Sequence, residues 1–319
     1  MTRMTLTIIA AAIVVAVFTG AQSPQPGISQ TAASHHQRGV EFHLQRRLDE
    51  ASREYSRALQ LDPPRAPTAD ELSLIRRFAP RVYTTPDELF SLKDAAAILH
   101  PTDRLVAYHL FWEDDIDFPD DNDPCDHEVV WVRYSPDRRS IEGFWTYFHA
   151  RILEGDAQAL HDAREHGMRP RTNVQWGKHG SMPLGWEQMK IVADAGDLER
   201  EYYPIGQAIS LTDYNRGIWN KLRNEGRRSQ QHPLSRRLGW PDRFSGGWER
   251  FVDFSHLVDP LKLINGSRMV SVSRWNSAVI NQHFLAYNFR PKIEWPTDVA
   301  IGPVRIVTSP VDQAGLPRS

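Results

Sequence analysis

Two periodicities divide this chain. Between residues 31 and 64, small and aromatic residues recur at helical spacing. Gly39 and Ala51 let two antiparallel helices approach closely, Phe42 and Tyr55 fill the space between them, and Pro63 stops the second. From Ile75 onward the pattern changes. The runs 105–112, 128–134, 144–150, 269–275, 283–289 and 299–307 are short, rich in Val, Ile, Tyr, Trp and Phe, and bounded by Pro, Gly, Asp or Asn, which predicts strands. Ser135-Pro136-Asp137-Arg138-Arg139 reads as a hairpin turn that makes two of them antiparallel neighbours. Segments 155–167 and 186–203 read as helices, and 224–247 as a long polar loop or insertion. The expected fold is mainly β: an antiparallel β-sandwich with inserted helices over 70–310, preceded by a helical hairpin over 32–65.

Ahead of the hairpin, Arg3, an apolar run of roughly 13 residues from Leu6 to Phe18, and the small residues Thr19-Gly20-Ala21 match a secretory signal over 1–21. A membrane span needs ~20 apolar residues, so the expectation is export, to the periplasm or beyond the cell. A Gln, Pro, Ser and Gly linker covers 22–31. Cys125 is the only cysteine, so no disulfide within the chain can staple the core. A formal charge of −2 gives no reason to expect a nucleic-acid partner. The basic stretch 221–250, with eight Lys or Arg against three acids, reads as a solvated loop.

The chemistry concentrates elsewhere. Between Glu113 and Glu128 there are nine carboxylates and no Lys or Arg. Like charges so close together must be spread into water or held by a cation. The run ends in Cys125-Asp126-His127-Glu128. On a strand, Asp126 and Glu128 leave the same face and His127 the other. His149 lies on the facing strand and His179 in a Gly-flanked loop, so Asp126, Glu128, His149 and His179 form the expected metal site. Carboxylates with imidazoles suit Mg²⁺, Mn²⁺ or Zn²⁺, whereas an all-oxygen site in the acidic loop suits Ca²⁺. A Cys125 nucleophile is disfavoured, because the neighbouring carboxylates oppose a thiolate. There is no Gly-x-Ser-x-Gly elbow, phosphate loop or His-Glu-x-x-His. Trp176, Trp186, Trp240 and Trp248 could stack on sugars, although pinning loops to the core is the commoner role.

Two resemblances add to this. The hairpin resembles one tetratricopeptide repeat: Gly39, Phe42, Ala51, Tyr55, Ala58 and Pro63 fall at that motif's packing positions, while His35 and Arg38 stand where it has Trp and Leu. The resemblance implies a surface for a protein partner. A lone repeat cannot cover its own apolar face, so it should also pack on the following domain or on another chain. Three later segments are similar to the Vps62-related proteins and, more distantly, the necrosis-inducing-protein-like sandwiches. They are Phe78-Ala79-Pro80-Arg81-Val82-Tyr83 with Pro86-Asp87-Glu88, Cys125 through Val132, and Gly177-Lys178-His179-Gly180-Ser181. That similarity implies a β-sandwich. His127 and Cys125 stand where the family has Trp and Gly.

Two function classes follow. One is an exported sandwich with a divalent-metal site acting on an extracellular polymer or membrane surface, with His179 or Glu128 as acid-base partner should it be a hydrolase. The other is a non-enzymatic envelope module whose hairpin docks a partner protein.

Overall fold

The structure, a computed structural model, describes residues 31–117, 125–149, 151–192, 207–225, 233–239, 242–247, 251–284, 295–296 and 305–307. The expected signal segment, and the linker up to residue 30, lie outside the described residues. No helix among the described residues is long and apolar enough to cross a membrane.

The chain runs α1 (Ala32–Leu44), α2 (Leu48–Leu61), α3 (Ala69–Phe78), β1 (Arg81–Thr84), β2 (Leu92–Leu99), β3 (Leu105–Trp112), β4 (Asp126–Tyr134), β5 (Ile141–Phe148), β6 (Arg151–Glu154), α4 (Ala157–Glu165), β7 (Arg171–Val174), β8 (Ser181–Pro183), β9 (Lys190–Val192), β10 (Ala208–Ser210), α5 (Leu211–Glu225), α6 (Pro233–Leu238), β11 (His256–Val258), α7 (Leu261–Ile264), β12 (Val270–Val272), α8 (Asn276–Phe284) and β13 (Arg305–Val307).

The helical hairpin is present. Thr31 caps α1 in a reciprocal pair with Ser34, and Thr68 caps α3 in the same way with Glu71. Gly39 is where the two helices touch: a Cβ there would sit 2.5 Å from the Tyr55 ring. Val40, Ala51 and Tyr55 pack with Ala278 of α8, and Gln282 on the same helix donates to Ser56 Oγ at 2.9 Å. The face that one repeat leaves uncovered is therefore spent within this chain.

The mainly β, antiparallel sandwich is not what the chain forms. Among the described residues helix makes up 38% and strand 27%, and the sheets are mixed. The largest sheet has the order β12-β2-β3-β4-β5-β6-β13. Its five middle strands are an antiparallel meander, and β12 and β13 add to its edges in parallel. A second sheet runs β11-β1-β7-β8, with β1 and β7 parallel. The physical reason lies in β3, where Leu105-Val106-Ala107-Tyr108-His109-Leu110-Phe111-Trp112 is buried at every position. A strand hidden on both faces belongs to a covered sheet rather than to the outer layer of a sandwich. One face, with Val106, Tyr108, Leu110, Val130 and Val132, packs on β1, β7, α3 and α4. The other, with Ala107, Phe111, Val129 and Trp131, packs on Val279 and Ile280 of α8.

Several element assignments change accordingly. Segment 283–289 begins inside α8, and 285–289 lies outside the described residues. Segment 186–203 opens with a single 3-10 turn followed by β9, not a long helix, and its residues from 193 onward lie outside the described residues. Within 224–247, α6 and a 3-10 turn at Asp242–Phe244 interrupt the expected loop. Strand β2 was not visible in the periodicity, because Lys93-Asp94-Ala95-Ala96-Ala97 lacks the β-branched and aromatic residues that mark strands. The turn at 135–139 does join antiparallel neighbours, with Tyr134 opposite Ile141. Trp176 and Trp186 are fully buried core residues.

Candidate functional site

One end of the two sheets gathers the loops β1–β2, β3–β4, β5–β6 and β7–β8, roofed by α5. They are knitted by hydrogen bonds to backbone carbonyls. Ile116 N–H donates to Gly177 O at 2.9 Å, Glu113 N–H to Ser91 O at 3.0 Å, and the Trp176 indole N–H to Asp87 O at 3.0 Å. Gly177 is required here twice over: its φ is +71°, and a Cβ would lie 2.5 Å from Ile116 Cγ2.

His179 is the centre of this end and is fully buried. Its Nδ1 is 2.9 Å from Asp126 Oδ2 and its Nε2 is 3.4 Å from Glu88 Oε1. The ring lies flat on Trp112, with centroids 4.3 Å apart and planes 2° apart. Glu88 is itself fixed, accepting from the backbone N–H groups of Leu89 at 2.7 Å and Gly177 at 3.1 Å. Burial alone would depress the imidazole's pKa. The charges of Glu88 and Asp126 and the hydrogen bonds to both outweigh it and push the pKa up to about 10. At neutral pH His179 is a buried imidazolium held between two carboxylates.

A second cluster adjoins it. Asp117 takes ion pairs from Lys178 at 3.1 Å and Lys221 at 3.3 Å. Burial opposes ionisation of Asp117, but the two ammonium groups prevail and hold its carboxyl below the usual range. Asp115 goes the other way. Burial, then the charges of Asp117 and Asp126, keep its proton on well above the ordinary carboxylate range despite Lys178.

The expected four-residue set is only partly assembled. Asp126 and His179 meet, with His179 as hydrogen-bond partner of the carboxylate. Glu128 is buried two residues further along the same face of β4, opposite Leu110. His149 instead bonds Gln175 Oε1 through Nε2 at 2.6 Å, and Gln175 belongs to the loop that carries His179. His127 turns to the other face of the sheet, where it lies 2.9 Å from His109 and stacks on Phe111. Among the described residues no group of three or more His, Cys, Asp or Glu side chains is arranged to hold a metal ion.

Sequence reasoning missed Asp115 and Asp117 as individuals within the acidic run. It also missed Lys178, Gln175, Asn215 and Lys221. Lys178 stands beside His179 in the same Gly-flanked loop, and that adjacency was the available signal. Lys221 looked like the start of a solvated basic stretch, yet its side chain is 2% exposed. Comparison with protein-family models, curated proteins and solved structures finds no match to this chain.

Proposed function

We propose that this is an exported module whose loop end takes a hydrated divalent cation at Asp115 and Asp126 and acts through it at an extracellular polymer or membrane surface. The observation that carries the reading is Asp115. Lys178 and Lys221 are paired with Asp117 and His179 with Asp126, while Asp115, whose Oδ1 accepts from the Asp117 N–H at 2.7 Å, is pushed towards keeping its proton by burial and by the charges of Asp117 and Asp126. A cation can replace that proton. Two carboxylates with retained water suit Mg²⁺, and Ca²⁺ with more oxygen donors is the neighbouring choice. In this reading His179 is not a ligand. It donates to Asp126 and fixes the direction of that carboxylate, as outer partners of metal sites do. The bound ion would supply positive charge for an oxygen-rich or anionic ligand, and the chain's own groups would orient it. Export rests on the 1–21 segment.

Elemental analysis of purified protein before and after chelation, followed by calorimetric titration with Mg²⁺, Ca²⁺, Mn²⁺ and Zn²⁺, tests this. Asp115→Asn and Asp126→Asn should each abolish binding with secondary structure retained. Metal-free protein that takes up none of the four ions rejects the reading. The alternative of a hairpin that docks a partner protein has less support, because Val40, Ala51 and Tyr55 already pack on α8.

A further inference from the structure

The end of the main sheet opposite the loop site is built around the β4–β5 turn, and three guanidinium groups converge on that turn from other elements. Arg77 of α3 donates to Arg138 O at 3.1 Å, Arg104 of the β2–β3 turn to Tyr134 O at 2.8 Å, and Arg164 of α4 to Ile141 O at 3.2 Å. The turn itself adds Arg138 and Arg139, both exposed.

The acids close by are engaged. Glu142 pairs with Arg104 at 2.7 Å, and Glu165, next to Arg164, faces His161 at 3.8 Å. Asp137, the one acid within the turn, accepts from the Ser135 hydroxyl at 2.5 Å and from the Arg139 N–H at 3.1 Å. Among the described residues, Arg77, Arg138 and Arg139 have no carboxylate within 4.0 Å. Helix dipoles give a reason for Arg77 and Arg164, which sit in the last turns of α3 and α4. They give none for Arg138 and Arg139.

The shape of the patch narrows what it meets. Residues 136–139 are all exposed, so the guanidinium groups stand on a projecting turn and address a surface instead of enclosing a small ligand. A planar fork of N–H donors matches phosphate oxygens two at a time. The exposed large apolar residues Leu44, Leu61, Val252 and Leu257 all belong to other elements, so the contact is made by charge without insertion.

We infer that the β4–β5 turn, together with Arg77, is a docking surface for the phosphate headgroups of an anionic lipid bilayer. Adsorption through this turn leaves the loop end, one length of β4 or about 26 Å away, facing outward from the bilayer. The inference rests on the export in the proposed function and not on a bound cation.

Cosedimentation of the exported protein with vesicles, in chelator, tests it. The protein should sediment with phosphatidylcholine vesicles containing phosphatidylglycerol, remain in solution with phosphatidylcholine alone, and be released by high salt. Arg138→Gln with Arg139→Gln, whose side chains donate no hydrogen bond among the described residues, should weaken binding roughly 20-fold, about five-fold for each arginine. Arg46→Gln with Arg53→Gln removes the same charge from the hairpin and should leave binding unchanged. Arg46, with φ +57°, also matches the backbone of Arg138, with φ +59°. Absent binding, equal binding to neutral vesicles, full binding by the Arg138/Arg139 variant, or equal loss in the hairpin variant overturns the proposal. So does capture by a polyanionic polysaccharide without capture by vesicles. Displacement from vesicles by inorganic phosphate, at an ionic strength where chloride leaves the protein bound, overturns it in favour of a discrete phosphate site. Calorimetric titration with metal ions stands apart from all of these outcomes, so the cation reading and the bilayer reading fail separately.

Discussion

The His179 imidazole lies face to face with the Trp112 indole, and Trp112 stands directly opposite Asp126 in the β3–β4 register. The stack places the ring in line with the carboxylate that begins β4, so one strand pair supplies both the platform and the counter-charge. A cation over an indole face in a dry site is attractive in its own right.

Stability should therefore depend on His179 at alkaline pH. The folded pKa is raised to about 10, against 6.5 for an unperturbed imidazole. The contribution is fully present below about pH 6.5 and is lost as pH rises from there to about 10. Asp115 acts with the same sign, since its proton is bound in the folded chain and released on unfolding. Denaturant midpoints of chelated protein should fall from pH 7 to pH 10, and His179→Gln should flatten that slope. A flat wild-type profile would remove the imidazolium from the account.

On the acid side the relevant group is Asp117. Its folded pKa is lowered by two lysines, so its contribution is present above about pH 4 and disappears as pH falls through the folded value. Asp117→Asn should then cost more than Lys221→Met. The first removes the carboxylate with which both Lys178 and Lys221 are paired, whereas the second still leaves Lys178 beside the carboxylate. Breaking a buried pair costs about 3–5 kcal/mol, and the doubly paired carboxylate should lie at the upper end. Unfolding midpoints in the reverse order would contradict this.

Gly39→Ala offers a test of opposing signs. In an open helix the change would stabilise by roughly 1 kcal/mol. Here the new Cβ meets the buried Tyr55 ring at 2.5 Å, and overpacking of that kind costs about 1–3 kcal/mol. The net effect should be a lower melting temperature. Tyr55→Leu should make the same glycine substitution harmless, and a double-mutant cycle measures the difference.

Removal of residues 1–64 should lower the melting temperature of the remainder, because Ala278 and Trp275 of the α8 region lose the hairpin that covers them. An unchanged transition would mean that the hairpin adds nothing to the folded body.

Local physics was readable from the residues alone. The spacing of Gly39, Ala51 and Tyr55 specified a close helix pair, since only small residues permit that approach. The Ser-Pro-Asp turn specified an antiparallel pair, and the alternation at Asp126 and Glu128 placed both carboxylates on one face of β4. The expected meeting of Asp126 with His179 needed tertiary contact, because pattern does not fix which loop a strand start lies against. What the sequence could not decide was everything that depends on who covers whom. Strand β3 reads the same whether its second face meets solvent, a sheet or a helix, and α8 settles that only in three dimensions. The parallel pairing of β12 and β13 joins segments far apart in the chain, with no local signal. Lys221 and Asp117 carry the charges of surface residues until packing removes their water. Asn215 and Gln175 acquire a direction only when the Phe251 carbonyl is brought against one end of their hydrogen-bonded chain. Periodicity encodes which side of an element is apolar, and tertiary contact alone determines which partner that side meets.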